Sequence, residues 1–383
     1  MTYRMILNQT AYFGRGALDN LVPELERRGF QKALVVTDKG VEEAGILAQL
    51  TMKLEAANFA YAVFADVVPN PPVENVQAGV EALHAAQADV IIGIGGGSPQ
   101  DTAKAIGIIG ANPEFSDVVS LEGTAATKNP AIPIIGIPTT AGTASEVTIN
   151  YVITDTAKQR KFVCVDPHDI PVMAIVDPDL MDGMPRSLKV ATGLDALTHA
   201  IEGFVTPGAW ELSDAVHEKA FRMIAKNLQP AADGDSQALE KMAYASYIAG
   251  MGYSNVGLGL VHGMAHPLGG RYDAPHGVAN GILLAPVMAY NQEYTGEKYR
   301  DIADAFGVAD AYSRPLETVR EEAVSAVANL TKALGNPTKI SEVGVTEAGL
   351  DDLAADAYAD VCTPGNPRPA TLEDIRAIYA SLL

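Results

Sequence analysis

The stretch "IIGIGGGSPQDTAKAIG", residues 91–107, reads as an apolar strand, a glycine turn and a helix in direct succession. Its strand portion is continuously apolar, not alternating. That pattern suits a strand covered on both faces, as in a mostly parallel sheet. Gly95, Gly96 and Gly97 strip the turn of side chains, so backbone N–H groups are open to an approaching anion. Ser98 is expected to cap the helix, Pro99 suits its first turn, and Asp101 lies in that turn. A helix N-terminus with bare amides is a natural phosphate site. The spacing matches neither the G-x-G-x-x-G fingerprint nor a P-loop with its lysine. By itself it also suits a tight βα turn with no ligand.

Outward from this stretch the theme repeats. "KALVVTD" (32–38), "YAVFADV" (61–67), "AIPIIGIPTT" (131–140), "KFVCVD" (161–166) and "VMAIVD" (172–177) read as strands. "NVQAGVEALHAAQA" (75–88) reads as a helix between two of them. Strand-then-helix repetition is the signature of βαβ units. Ligands of open α/β sheets sit at the carboxyl ends of the strands. Asp38 closes one such strand, where it suits a ribose hydroxyl pair and repels a 2′-phosphate, favouring NAD over NADP. "PTTAGTASEVT" (138–148) is a second small-residue loop that can line the same crevice.

The texture changes at "DPDLMDGMPRS" (177–187). Long helical patterns follow over 188–205, 212–228, 238–254, 295–307 and 316–335. The expected organisation is an α/β dinucleotide-binding domain with a mostly parallel sheet over residues 1–185, then an all-helical metal-binding domain over 186–383.

Bulk properties narrow the function. The 383 residues are 48% hydrophobic, enough for two cores, yet no apolar run reaches the roughly 18 to 20 residues of a membrane span. The start of the chain lacks the basic-then-apolar pattern of a secretory leader, so a cytoplasmic location is the expectation. With 27 basic and 47 acidic residues the net charge is −20, which argues against nucleic acid and anionic membranes as partners. The two cysteines, Cys164 and Cys362, are far apart and form no Cys-x-x-Cys pair, so thiolate zinc is not expected.

Any metal must therefore be held by nitrogen and oxygen. "GLDALTHAIEG" (193–203) puts Asp195 and His199 at i and i+4, on one face of a helix. "GLGLVHGMAHPLGGRYDAPHGVAN" (257–280) holds three of the seven histidines, with His262 and His266 four apart and His276 ten later. Pro267 and the Gly269–Gly270 pair are expected to end the first helix and let His276 return on a second. One carboxylate and three imidazoles, from Asp195, His199, His262 and His276, make a four-ligand set for a divalent transition metal. His266 is then left one turn from a ligand, free to exchange protons. Taken singly, each segment also fits a buried histidine or a surface Asp–His pair. The remaining His84, His168 and His217 read as structural.

Together "GGGSPQDTAKAI" (95–106), "IPTTAGTASEVT" (137–148), "GLDALTHAIEG" (193–203) and "GLVHGMAHPLGGRYDAPHGVANGILL" (259–284) resemble the iron-dependent, group III alcohol dehydrogenases. The resemblance covers essentially the whole chain. It implies metal ligation by Asp195, His199, His262 and His276, with His266 as the nearby non-ligand histidine. It implies NAD contacts at Asp38, Asn70, Gly96, Gly97, Ser98, Asp101, Thr139, Thr140, Thr143, Val152 and Lys161. Asn150 is implied near the nicotinamide and substrate, and Tyr253 and Leu258 are candidate pocket walls. Fe(II) is the implied metal, with zinc as the alternative, and a homodimer the implied assembly. The implied reaction is NAD-dependent reduction of a small 2-hydroxyaldehyde to a diol, and its reverse. A broad primary-alcohol or 1,3-propanediol dehydrogenase is the nearest alternative. A dehydroquinate-synthase-like lyase is the alternative of another class, but the metal stretch offers only Arg271 towards its phosphorylated substrate.

Overall fold

A computed structural model describes residues 2–158 and 160–383. The chain divides into two compact units, Met1–Met184 and Pro185–Leu383.

In the first unit the strands are β1 (Thr10–Phe13), β2 (Lys32–Asp38), β3 (Ala60–Val67), β4 (Val90–Gly95), β5 (Gly123–Thr124), β6 (Ile134–Pro138), β7 (Asn150–Asp155), β8 (Arg160–Val165) and β9 (Met173–Val176). Its helices are α1 (Leu21–Arg28), α2 (Lys39–Glu43), α3 (Ile46–Ala56), α4 (Val73–Ala86) and α5 (Gly97–Ala111). Six strands form one sheet in the order β1-β9-β6-β4-β2-β3, with parallel pairing throughout. Helices cover both faces, so Leu34, Val35, Val36, Ile91, Ile92, Ile94, Ile135 and Ile137 are fully buried whichever way they point. This is why the central strands are apolar without alternation. Parallel pairing of β2 with β4, and of β4 with β6, brings Asp38, Gly95 and Pro138 to one edge of the sheet.

"KFVCVD" does not join this sheet. It forms β8, which pairs antiparallel with β7 in a second sheet ordered β5-β8-β7. The run is apolar because it packs on the cluster of Val76, Ile108, Tyr151 and Phe162, a demand that a parallel strand would also satisfy.

The helix after the glycine turn also starts earlier than expected. Gly96 is its cap, in extended conformation, and no side chain caps it; Ser98 lies inside the first turn. Gly97 can enter the helix because it lacks a side chain: a Cβ there would lie 2.9 Å from the Thr143 methyl.

The second unit is helical throughout among the described residues: α6 (Arg186–Val205), α7 (Glu211–Ala232), α8 (Ser236–Val256), α9 (Leu260–Tyr272), α10 (His276–Asn291), α11 (Lys298–Ala305), α12 (Leu316–Ala333), α13 (Leu350–Ala359) and α14 (Leu372–Ala380). From Gly193 onward α6 is buried all round, so it is a core helix with no solvent stripe. The His217 ring of α7 lies against Gly203 of α6 and Gly252 of α8, where any side chain would overlap it. No helix among the described residues is long and apolar enough to cross a membrane.

Helix α9 does not end at Pro267 or at the Gly269–Gly270 pair. It runs to Tyr272 and stops where Asp273 takes a left-handed conformation, φ 52°. Proline removes one helical hydrogen bond. Burial of every residue from Leu260 to Gly269 outweighs that local preference, and the Tyr379 hydroxyl donates to the Met264 carbonyl within the same stretch.

Candidate metal centre and dinucleotide loop

Three elements of the second unit meet at one point. Helix α6 brings Asp195 and His199, α9 brings His262, and α10 opens with His276. Donor atoms of Asp195, His262 and His276 lie within 4.8 Å of one another. Asp195 Oδ1 is 3.4 Å from His276 Nε2 and 3.8 Å from His262 Nε2. His199 Nε2 stands at 3.8 Å from the same oxygen. Its ring is stacked between Tyr253, at 4.1 Å between centroids, and His262, at 4.6 Å. The three imidazoles of the expected ligand set thus surround its one carboxylate.

The electrostatics suit a cation. Asp195 is only 2% exposed. Burial alone would push its pKa up, but His199, His276 and His262 hold the carboxyl below the usual carboxylate range. Burial likewise opposes charge on His262, yet hydrogen bonds to Asp195 and Glu202 hold its ring up to about 9. A buried carboxylate thus faces a protonated ring where a divalent ion, taking the place of that proton, would satisfy both. Asn280, one turn after His276, points its amide Nδ2 at the same place, 2.8 Å from Asp195 Oδ1 and 3.3 and 3.2 Å from the Nε2 atoms of His262 and His276. Its Oδ1 is buried without a hydrogen-bond partner. A set of one carboxylate and three imidazoles, lone pairs converging, fits a divalent transition metal.

Residues that sequence reasoning missed hold these candidate ligands in place. Glu202, one helical turn beyond His199, accepts from His262 Nδ1 at 2.6 Å. Gly277 lets α10 press against α6, since a Cβ there would overlap the Ala191 carbonyl. His266 faces another partner: its Nδ1 lies 2.8 Å from Asp360 Oδ2, and its ring stacks on His276 at 5.5 Å and 11°. Cys362 lies beside that pair. Asn280 and Gly277 follow His276 on one helix, and a conspicuous ligand histidine was the available signal. Asp360 lies in a distant segment and carries none.

In the first unit the glycine turn is built for close approach. Gly95 has φ 150°, and a Cβ there would strike the Pro99 ring at 2.6 Å. The Thr139 amide donates to the Gly95 carbonyl at 3.0 Å, which joins the Thr139–Thr143 loop to the turn. Thr140 and Thr143 face Gly96 and Gly97. The α5 amides have no capping side chain, as an anion site requires. Asp38 sits at the end of β2, and its Oδ1 caps α2 through the Val41 amide at 2.8 Å. Asn70 holds a left-handed conformation, φ 52°, beyond β3. Lys161 stands on β8 opposite Thr154.

Asp101 is not free to reach outward: it accepts from Ser145 Oγ at 2.6 Å and from the Val152 amide at 2.9 Å. One turn on, the buried Lys104 ammonium donates to the carbonyls of Thr148 and Asn150 at 2.8 and 2.9 Å. Helix α5 therefore fixes the loop that carries Asn150 and Val152. Tyr253 is buried against His199, and Leu258 lies in the turn before α9.

Two family models match the chain. Residues 8–178 match "Iron-containing alcohol dehydrogenase" and residues 189–383 match "Fe-containing alcohol dehydrogenase family, C-terminal". The chain is 59% identical over 379 residues to the lactaldehyde reductase of Escherichia coli (strain K12), covering 99% of each. Its fold is similar to a crystal structure of 1,3-propanediol oxidoreductase, with TM-score 0.96, 38% identity and 100% of both chains covered. It is also similar to the sulfoacetaldehyde reductase from Bifidobacterium kashiwanohense solved in complex with NAD+, with TM-score 0.88, 28% identity, and 100% and 99% covered.

Proposed function

The chain belongs to the iron-containing alcohol dehydrogenase family, and from that premise we propose that it reduces lactaldehyde to 1,2-propanediol with NADH and runs the reverse oxidation. The observation that carries this reading is the convergence of Asp195, His199, His262 and His276 on one buried point. The 59% identity to a lactaldehyde reductase supports the choice of substrate.

When bound, a divalent cation supplies Lewis acidity at the carbonyl oxygen and NADH supplies the hydride. The chain's own residues do the rest. Asp195 and the three imidazoles hold the cation, with Fe(II) as the ion loaded and zinc as its competitor. The Gly96-Gly97-Ser98 turn receives the diphosphate on the α5 amides, flanked by Thr139, Thr140 and Thr143. Asp38 holds the adenosine ribose and repels a 2′-phosphate. Asn70, Val152 and Lys161 complete the cofactor contacts, while Asp101 acts through the segment it braces. Asn150 orients the carboxamide end and the substrate. Tyr253 and Leu258 shorten the pocket. His266, held by Asp360, delivers the proton to the product oxygen. The enzyme works as a cytoplasmic homodimer.

The test is anaerobic purification with metal analysis, followed by NADH oxidation across a panel of aldehydes. Highest kcat/KM with lactaldehyde and about one metal per chain are expected. A preference for 3-hydroxypropanal would give the protein instead to the 1,3-propanediol dehydrogenases, the reading that the fold similarity supports second. A phosphorylated lyase substrate is disfavoured, because Arg271 is already paired with Asp352 and Asp356.

A further inference from the structure

We propose that Glu202 is a positioning residue of the metal centre, fixing both the tautomer and the ring orientation of His262. The inference rests on the reading above that this centre holds a divalent cation.

Glu202 is 5% exposed and follows Asp195 by two helical turns on α6, so it shares the stripe that carries Asp195 and His199. Its two oxygens receive three donors from the start of α9. The Val261 amide donates to Oε1 at 2.6 Å, the His262 amide to Oε2 at 3.4 Å, and His262 Nδ1 lies 2.6 Å from Oε2. One carboxylate therefore ties the helix bearing two ligands to the helix bearing a third.

A carboxylate only accepts, so the hydrogen must sit on Nδ1. Once a cation takes the place of the Nε2 proton, the ring is a neutral imidazole whose one N–H is on Nδ1, and the Nε2 lone pair is left to the metal. That nitrogen is the one facing Asp195 Oδ1 and the Asn280 amide. Without Glu202 the ring is free to carry its hydrogen on Nε2 or to turn, and in either state the donor is lost. A negative acceptor behind the ring also raises the electron density at Nε2. Partners of this kind typically change metal affinity by about 10- to 100-fold when removed. The backbone bonds alone would make Glu202 a cap for α9. The short bond to the ring is what a cap does not need.

The test is chelator competition with Zn(II) and Co(II) on wild type, Glu202→Gln and His262→Ala, with the visible spectrum of the Co(II) form as second readout. Glutamine keeps the size but has one acceptor oxygen, so it cannot accept from the Val261 amide and the His262 ring on the two sides that Oε1 and Oε2 serve. Expected is an affinity about 10- to 100-fold below wild type for Glu202→Gln, an altered Co(II) spectrum, and NADH binding unchanged. Affinity within about twofold of wild type, with an unchanged spectrum, overturns the proposal while a loss in His262→Ala keeps the metal reading intact. Equal and weak binding by wild type and His262→Ala instead overturns the metal reading itself. Should Glu202→Gln fail to melt cooperatively, ring nitrogen NMR of histidine-labelled, Zn(II)-loaded wild type decides: a His262 ring without a hydrogen on Nδ1 refutes the proposal, and one with its single hydrogen on Nδ1 upholds it.

Discussion

His266 Nδ1 lies 2.8 Å from Asp360 Oδ2, although 94 residues separate them along the chain. The bond occupies Nδ1, so the proton transfer proposed for His266 would pass through Nε2. Asp360 is in turn anchored by the Cys362 amide at 2.8 Å. Asp360→Asn is expected to lower kcat by about 10- to 100-fold, because an amide can present a donor where an acceptor is needed. KM for NADH should stay within about twofold. Stopped-flow and steady-state rates check this, and a kcat unchanged in the variant removes Asp360 from the proton path.

Gly277 follows the candidate ligand His276 directly and lies against the Ala191 backbone of α6, four residues before Asp195. Gly277→Ala must push α10 away from α6. The expected cost is about 1–3 kcal/mol of stability, as for other overpacked contacts, together with weaker metal retention. Thermal melts with and without chelator measure both. Equal shifts in the two melts would show that the strain never reaches the ligands.

Asp38 is the residue proposed to set cofactor choice. Asp38→Gly removes the charge and the α2 cap, and glycine at a cap costs only a few tenths of a kcal/mol. The kcat/KM ratio should move towards NADPH by at least about tenfold, equivalent to about 1.4 kcal/mol. Asp38→Asn keeps the cap and should relax the preference less. An unchanged ratio in both variants would remove Asp38 from the ribose role.

His217 bears on acid stability. It is fully buried, and burial together with Lys298 and His199 pushes it down to about 3 against a weaker opposing contact with the Ser213 backbone. The unfolded chain binds a proton on this ring near pH 6.5, whereas the folded chain does not until near pH 3. Its contribution is therefore complete above about pH 6.5 and falls by about 1.4 kcal/mol per pH unit through the window below. His217→Leu should flatten the decline of stability between pH 6.5 and pH 4. Parallel denaturation curves for the two proteins across that range would contradict this.

Metal removal is the simplest perturbation. Stripping the ion should abolish turnover and lower the melting temperature, because binding energy at a site absent from the unfolded chain is folding energy. Asp195→Asn should do the same without a chelator. A melting temperature indifferent to metal would mean that the ligands close no differently around it.

Much of this was legible along the chain. Continuous apolar runs ending in Asp38, in Gly95 and in Pro138 announced a parallel sheet with its ligand edge, because a strand buried on both faces has no room for polar residues. The i, i+4 spacing of Asp195 with His199 showed that these side chains share a helix face, whatever the rest of the fold. Where the reading failed, local preference met tertiary burial. Pro267 and two glycines looked like a helix end, but the stretch around them is buried and the helix continues to Tyr272. Ser98 looked like a cap, but Gly97 slips into the helix first. "KFVCVD" looked like one more parallel strand, because an apolar run does not state its partner.

The sequence by itself determined the elements and the kinds of donor atom, since periodicity and side-chain chemistry are properties of a few neighbouring residues. Only the tertiary structure decided that α6, α9 and α10 bring their donors to one point, that Glu202 stands behind His262, and that Asp360 reaches His266. Contacts between distant segments depend on how helices pack against one another, and helix packing depends on the shape of whole surfaces, which no short stretch of chain contains.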